Sequence, residues 1–258
     1  MVTYEGFTLQ IGDGIAVLTF NRPKSLNSLT LQMLNVSLPK VFRELRENDE
    51  VRVLVIKGAG GTFCSGADVA ELSSTPRVSD FALFSDFASS LYNLDKPVIA
   101  AVDGIAAGAG LSVALLSDIR FASENARFCF VFARRGLVPD CGATFLMPRL
   151  VGTAKSFELM YTGDIIDAKE AERIGLVNKV VPNDSLMDEV NALAERLARG
   201  APLALARIKH AIHNGLISSL EQQLRFESDA QNFCFTTEDF KEGINSFLGK
   251  YEPQFKGR

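Results

Sequence analysis

Cysteine and histidine, which supply many transition-metal ligands, are scarce in this sequence. The chain has 258 residues, of which only four are cysteines and two are histidines. The cysteines are scattered without CxxC spacing, and metal ligation would need a tighter cluster than this. In a reducing compartment we expect them to be buried thiols. They are Cys64, Cys129, Cys141 and Cys234.

Long apolar runs and an excess of basic residues are also missing. No uncharged apolar stretch approaches the roughly 18 residues needed to cross a bilayer. The first residues lack the basic and apolar regions of a secretion signal. The net charge is −4, with acidic and basic residues interspersed, and no basic face typical of nucleic-acid-binding domains is evident. We therefore expect a cytoplasmic globular protein that binds neither membranes nor nucleic acids.

The pattern of apolar residues changes along the chain. Up to about residue 180, short β-rich runs alternate with helical patterns, which predicts an α/β core. Pro39 lies inside the helical pattern at 30–46, so we expect a kink or break there. The apolar faces of the later helical patterns exceed what short helices could bury among themselves, so they should pack on the core and on other subunits. Those patterns lie at 184–199, 202–214, 218–232 and 237–247.

Two glycine-punctuated turns could carry chemistry, FCSGADV at 63–69 and GIAAGAGLS at 104–112. Each follows an apolar strand pattern and leads into a predicted helix. Such a turn leaves backbone N–H groups free at a helix N-terminus, where they can donate to a developing oxyanion. The simpler interpretation is a tight turn that serves packing alone. The physics of the turns does not decide between the two.

Six collinear segments, spanning about residues 5–258, resemble the enoyl-CoA hydratase/isomerase (crotonase) superfamily. The segments are NRP at 21–23 with LNSL at 26–29, SGAD at 65–68, KPVIAAVDGIAAGAG at 96–110 with SDIRFAS at 117–123, GLVPDCGATFLMPRLVG at 136–152, YTGDIIDAKEAERIGLVNKVV at 161–181, and EDFKEGINSFLGKYEPQFKGR at 238–258. The resemblance implies an α/β fold, a crotonase-like spiral of ββα turns over residues 1–195. A C-terminal helical region, residues 196–258, would then build a homotrimer or a dimer of trimers.

The resemblance also implies a site for an acyl-CoA thioester. The backbone N–H groups of Ala67 and Ala109 would form an oxyanion hole around the thioester oxygen. No metal and no separate cofactor is expected, because coenzyme A is part of the substrate. The residues expected to contact the substrate are Lys24 and Leu26 along the CoA arm, Ser65, Gly66, Asp68 and Val69 toward the adenine, Gly108, Ser112 and Phe132 near the reacting group, and Phe247 and Lys250 from a neighbouring subunit.

Two positions depart from the family's hydratases. The resemblance places the two hydratase glutamates where this chain has Ser112 and Phe132. Hydration of an enoyl thioester needs groups that activate a water and deliver a proton. Serine is too weakly basic for this at neutral pH and phenylalanine cannot take part, so we expect hydration by the usual route to be inefficient.

One carboxylate stands where many hydratases have glycine. Asp140 lies in GLVPDCGAT, at a position that is acidic in dienoyl-CoA isomerases and in the epoxyphenylacetyl-CoA isomerases, which the segment resembles most. A single carboxylate suits an isomerase, since one group can remove a proton and return it elsewhere. The alternative is that Asp140 only caps the following helix. Glu71, after the first turn, is a weaker candidate for the base, and a metal pair of His210 and His213 is disfavoured.

Three functions stay open on the sequence. The first is an isomerase that shifts a double bond, or rearranges a ring-containing acyl group, in an acyl-CoA. The second is a hydratase or hydrolase that uses an unrecognised base, with Glu71 as the candidate. The third is a crotonase-fold protein that binds CoA without turnover. The acyl group cannot be predicted. The wall of its pocket is expected to come from the stretch at 71–95, whose sequence pattern does not define its structure. This stretch includes the stripe Phe81, Phe84, Phe87 and Leu91.

Overall fold

A computed structural model describes residues 1–74 and 83–258 of the chain. Its main sheet has the strand order β1-β2-β3-β4-β5-β7-β10, and a smaller sheet has the order β6-β8-β9. The strands are β1 (Val2–Tyr4), β2 (Phe7–Gly12), β3 (Ile15–Phe20), β4 (Val53–Gly58), β5 (Val98–Val102), β6 (Ile105–Ala107), β7 (Ile119–Ser123), β8 (Arg127–Cys129), β9 (Ile165–Asp167) and β10 (Lys179–Val181).

Helices separate the later strands and then continue alone to the C-terminal end. They are α1 (Leu38–Glu47), α2 (Val69–Ser74), α3 (Leu83–Tyr92), α4 (Ala109–Leu116), α5 (Ala143–Val151), α6 (Thr153–Thr162), α7 (Ala168–Arg173), α8 (Leu186–Ala198), α9 (Pro202–Gly215), α10 (Leu220–Phe235) and α11 (Glu238–Gly249). The predicted α/β core followed by four helical segments is confirmed. The part of the predicted helix at 78–93 that precedes residue 83 lies outside the described residues.

The main sheet is antiparallel at its β1–β2–β3 edge and parallel from β3 onward. A parallel strand is covered on both faces, so its sequence is apolar throughout instead of alternating. Strand β4 shows this, since Leu54 and Ile56 enter the main core while Val53 and Val55 enter a second core. The second core is closed by α8, which contributes Val190 among others.

The regular α-helical pattern is interrupted next to Pro39, where the sequence predicts a kink or a break, but the helix does not break there. A π-helical turn spans Met33–Ser37, and α1 begins directly after it with Pro39 in its first turn. Proline lacks the N–H that would bond to a carbonyl one turn earlier, and the irregular turn lies where that bond would form. The apolar side of α1 packs into the main core through Val41 and Phe42.

The C-terminal helices are joined to the sheet by a buried ion pair. The Lys209 ammonium on α9 lies 3.0 Å from Oδ2 of Asp118 and 3.2 Å from the carbonyl oxygen of Lys96. Oδ2 of Asp118 also accepts the Val98 N–H, at 2.7 Å. The chain's last residues return to the core, because the Arg52 guanidinium donates to the Phe255 carbonyl at 2.9 Å.

The predicted boundary between residues 195 and 196 falls inside α8, whose buried side chains pack on the main sheet. No helix in the described ranges is both long and apolar enough to cross a bilayer. Of the cysteines, Cys64, Cys129 and Cys141 are buried thiols as predicted, and Cys234 is partly buried.

Candidate active site

The two glycine turns meet side by side. Cys64 and Ala106 form an isolated parallel bridge, in which the Cys64 N–H donates to Ile105 and the Ala107 N–H donates to Cys64, both at 2.9 Å. The contact is too close for side chains. Gly66 has φ +104°, and a Cβ there would lie 2.9 Å from the Ala107 carbonyl oxygen and 3.3 Å from the Ala109 nitrogen. Both turns therefore need glycine at their point of contact.

The predicted oxyanion donors lie at this contact. Ala109 is the first residue of α4, where a backbone N–H has no intrahelical acceptor. Ala67 pairs with Leu29 through the neighbouring peptides, because Leu29 donates to Gly66 and Asp68 donates to Leu29. Within residues 1–74 and 83–258, neither the Ala67 nor the Ala109 N–H donates to a protein acceptor. Two unpaired N–H groups next to one another can both donate to one oxygen placed between them.

The NRP segment and the LNSL segment after it support the first turn through side-chain hydrogen bonds. Buried Asn27 donates to the carbonyls of Ala59 and Thr62, and its side-chain oxygen accepts the Arg22 N–H. The Arg22 guanidinium donates to Oδ2 of Asp68 at 2.9 Å. This hydrogen bond is the main reason that the pKa of Asp68 lies below the ordinary aspartate value. The motif thus has a structural task, which the sequence alone did not reveal.

The predicted CoA contacts lie around the same turn. Lys24 is exposed in a short 3₁₀ turn, and Leu26 is exposed with a left-handed backbone, φ 52°. The Leu26 carbonyl accepts the Ser65 N–H at 3.0 Å. Val69 is exposed at the start of α2. Phe247 and Lys250 lie at the end of α11, both exposed, and their predicted action on a neighbouring subunit stays a prediction.

Asp140 combines burial with an unmatched oxygen. Its Oδ1 is buried and has no hydrogen-bond partner among the described residues. Burial raises the pKa of the carboxyl above the ordinary value, and the adjacent Cys141 thiol opposes this to a smaller degree. The alternative of a helix cap is wrong, because the N-cap of α5 is Gly142, and no side chain among the described residues accepts a hydrogen bond from the first N–H groups of α5. An aspartate with a raised pKa is a stronger base once it is ionised.

The two positions at which hydratases have glutamate carry no acid or base in this chain. Phe132 is buried, and its ring lies 4.0 Å from where a Cβ on Gly108 would stand. Ser112 is fully buried on α4, and its hydroxyl contacts main-chain carbonyls. Neither side chain can activate water at neutral pH.

Glu71 and the histidines have other partners. The Glu71 carboxylate accepts the Leu31 N–H at 2.7 Å, across to the segment that precedes α1. His210 Nε2 lies 2.7 Å from Asp95 Oδ1. His213 stacks on Tyr92 with ring centroids 3.9 Å apart. Burial lowers the pKa of His213 below its ordinary value. No cluster that could hold a metal occurs among the described residues.

Aromatic residues extend from the Asp140 loop. Phe145, in the first turn of α5, contacts Tyr92 edge to face with a centroid distance of 6.3 Å. The Arg149 guanidinium lies 3.7 Å from the centroid of the Phe145 ring. Of the predicted stripe, Phe87 and Leu91 are in the core and Phe84 packs against it, while Phe81 lies outside the described residues.

Replacing Arg22 tests the support under the first turn. We expect Arg22→Met to lower the free energy of unfolding at pH 7 by about 1 kcal/mol. Because Arg22 depresses the pKa of Asp68, this contribution is complete above the ordinary aspartate pKa of about 4. It is lost as the pH falls through the depressed value. Urea unfolding of both proteins across this pH range measures the difference.

Arg43→Met is the matched control, since the Arg43–Asp86 pair has both side chains more than half exposed. It should leave the stability unchanged within error. Equal stability of Arg22→Met and the parent at pH 7, or a difference that grows in acid, contradicts the assignment.

Comparison with known proteins identifies the family. The profile of the enoyl-CoA hydratase/isomerase family matches residues 10–258. The 1,2-epoxyphenylacetyl-CoA isomerase of Escherichia coli K12 is 36% identical over 252 residues, which cover 95% of this chain and 96% of that protein. The crotonyl-CoA hydratase of Syntrophomonas wolfei is 36% identical over 258 residues, covering 98% of this chain and 99% of the relative.

Solved structures agree with the sequence relatives. An enoyl-CoA hydratase from Bacillus anthracis superposes with a TM-score of 0.93 at 32% identity, covering 98% of this chain and 100% of that chain. Both the resemblance of the six segments and the predicted fold class are thereby confirmed. The chain belongs to the enoyl-CoA hydratase/isomerase family of enzymes, the crotonase superfamily.

Proposed function

We propose that this protein is an acyl-CoA isomerase that moves a proton with one carboxylate, Asp140. The observation that carries the proposal is the buried Oδ1 of Asp140, which has no hydrogen-bond partner among the described residues, in a chain that has Ser112 and Phe132 at the two hydratase glutamate positions. The chemistry available is therefore proton transfer without water activation. Coenzyme A enters as part of the substrate, and the proposal needs no further cofactor.

The thioester oxygen would bind between the Ala67 and Ala109 N–H groups. The Asp140 carboxylate removes a proton from the acyl chain, and the C–H electron pair moves into conjugation to give an enolate. The two N–H donors stabilise the negative oxygen, and this stabilisation is greatest when the charge is fully developed. The resulting carboxylic acid returns the proton to another carbon, so the double bond moves and no atom is gained or lost.

The proposal names only the chemical class of the acyl group. A relative that is 36% identical is named 1,2-epoxyphenylacetyl-CoA isomerase, which supports an unsaturated or ring-containing acyl-CoA of aromatic or fatty acid metabolism. The phosphate-bearing arm of CoA would lie over the exposed surface that holds Lys24, Leu26 and Ser65. Asp68 contributes to this surface through its ion pair with Arg22.

Hydration is the second candidate, because several relatives are named hydratases. It would need a base other than the two missing glutamates. Glu71 is the available carboxylate, and it already accepts a hydrogen bond from the Leu31 N–H. A protein that binds CoA without turnover is less well supported, since the chain keeps both predicted oxyanion donors and also has an aspartate with a buried carboxylate oxygen.

Assembly into a trimer or a dimer of trimers is part of the proposal, as is a cytoplasmic location. Helices α9, α10 and α11 enclose an open apolar cleft of about 810 Å³. Further large apolar side chains of α9 and α10 and the turn between them are exposed, which is unusual for the surface of a monomer. They include Ile208, Ile212, Leu216, Ile217, Leu220 and Leu224.

Asp140→Asn tests the proposed base. Asparagine is nearly isosteric, so fold and CoA affinity should persist while isomerisation falls by at least ~10². Because burial raises the pKa of Asp140, the parent's activity should increase as the pH rises through that pKa, and the increase should vanish in the variant. The assay follows deuterium incorporation at Cα and Cγ with a panel of enoyl-, dienoyl- and aryl-CoA thioesters in deuterated water.

Glu71→Gln is the matched control, because it neutralises the competing carboxylate. We expect it to retain turnover near that of the parent. Full activity in Asp140→Asn together with loss in Glu71→Gln would transfer the role of the base to Glu71.

Hydration of crotonyl-CoA should be slower by several powers of ten than in a relative that has both glutamates, since each missing acid or base costs on the order of 10²–10⁴ in rate. The decay of enoyl absorbance, measured for both enzymes under the same conditions, gives the ratio. A rate comparable to that of the two-glutamate relative would refute this expectation.

Charges on the apolar C-terminal surface should break the assembly. Ile217 and Leu220 are 71% and 69% exposed, so Ile217→Glu with Leu220→Glu should leave the subunit folded and reduce its sedimentation to that of a monomer. Ile11→Glu, at an exposed apolar residue of β2, is the control and should sediment as the parent does. A parent that sediments as a monomer would rule out the trimer.

A further inference from the structure

Ser112 connects the oxyanion helix to the Asp140 loop. Its side chain is fully buried on α4, four positions after Gly108. The hydroxyl lies 3.1 Å from the carbonyl oxygen of Asp140 and 3.4 Å from that of Gly108. A hydroxyl has one proton to donate, and the shorter distance favours the Asp140 carbonyl. The serine that replaces a glutamate is thus hydrogen-bonded to the residue proposed as the base.

The Asp140 loop needs such an anchor because its backbone is strained. Cys141 has φ 51° and Gly142 has φ 80°, so two consecutive residues adopt a left-handed conformation. For a residue other than glycine this conformation is unfavourable. The loop is held at the Asp140 carbonyl, which also accepts the Ala143 N–H at 3.0 Å.

The common role of a helical serine does not account for this contact. A buried serine in a helix usually donates to the carbonyl four residues earlier. Ser117, just after α4, does so, with its hydroxyl 3.2 Å from the Val113 carbonyl. Ser112 has the same option in Gly108, yet its closer acceptor lies 28 residues away in sequence. Its hydroxyl therefore joins two separate parts of the site.

We propose that Ser112 is a positioning residue, which fixes the Asp140 carboxylate relative to the oxyanion donor Ala109 through one hydrogen bond from helix α4. The inference rests on the proposed isomerase function. The oxyanion donor and the base would then both be fixed to the same short helix. The distance between them would therefore stay constant during proton transfer. A base displaced by a fraction of an ångström loses rate while substrate affinity is unaffected. Full burial also makes Ser112 a poor candidate for the direct substrate contact expected from the sequence.

The test compares Ser112→Ala with Ser117→Ala, two buried serines of which one contacts the Asp140 loop. Each variant is assayed for kcat, KM, the pH at half-maximal activity and melting temperature, using the acyl-CoA that the parent isomerises best. Ser112→Ala should reduce kcat about fivefold to tenfold, the effect of losing one hydrogen bond, with KM unchanged. The freed loop should admit water to Asp140, so the half-maximal pH should shift downward. Ser117→Ala should change neither kcat nor the half-maximal pH.

The outcomes separate this inference from the proposed function. If Asp140→Asn is inactive while Ser112→Ala keeps the parent's kcat and half-maximal pH, Ser112 is not a positioning residue and the isomerase proposal stands. A lower melting temperature in Ser112→Ala with normal kcat and pH profile likewise overturns the inference, because it shows a structural role alone. Full activity of Asp140→Asn overturns both proposals.

Discussion

The structure of the candidate site depends on one close backbone contact, the parallel bridge between Cys64 and Ala106. Two hydrogen bonds of 2.9 Å join the segment after β4 to β6, and the glycines at Gly66 and Gly110 leave no side chain in the way. A Cβ on Gly110 would overlap the Cys64 carbonyl oxygen. Without this contact the Ala67 and Ala109 N–H groups would not adjoin. The main sheet, α4 and the NRP segment can all be understood as supports that keep the two turns together.

Two aspartates show how the surroundings of a carboxyl group set its pKa and thereby its role. Asp68 is paired with Arg22 and accepts the Ser28 hydroxyl, so its charged form is stabilised and its pKa is low. Asp140 is largely removed from water, and one of its oxygens has no partner among the described residues, so its charged form is destabilised and its pKa is raised. A carboxylate of the first kind holds a loop in place, whereas one of the second kind gains by taking up a proton. Enolate formation requires the second kind.

Much of the fold could be predicted because its signals are local. The β2–β3 hairpin, the apolar runs of β4 and β5 and the interruption at Pro39 each follow from a few neighbouring residues. The two glycine turns were also evident, and the family resemblance supplied the oxyanion residues. Features that join distant segments were missed. They include the anchoring of Glu71 by Leu31, the stack of His213 on Tyr92 and the hydrogen bond from Ser112 to the Asp140 carbonyl.

The Asp140 loop shows the same limit most clearly. An aspartate shortly before a helix is a common N-cap, and no pattern in GLVPDCGAT argues against that role. With the left-handed turn at Cys141 and Gly142, the Asp140 carbonyl and not its side chain accepts the Ala143 N–H, and Gly142 is the N-cap. Backbone conformation of this kind is decided by the packing of the whole site.

The most direct measurement of the central claim uses water labelled with both deuterium and ¹⁸O. The enzyme is incubated with an unsaturated acyl-CoA, and the mass and position of each label in the product are determined. Proton transfer by one carboxylate predicts deuterium at the carbons that exchange protons and no ¹⁸O anywhere in the acyl-CoA. Incorporation of ¹⁸O into the acyl chain, or into a released carboxylic acid, would show that water is a reactant and would contradict the account.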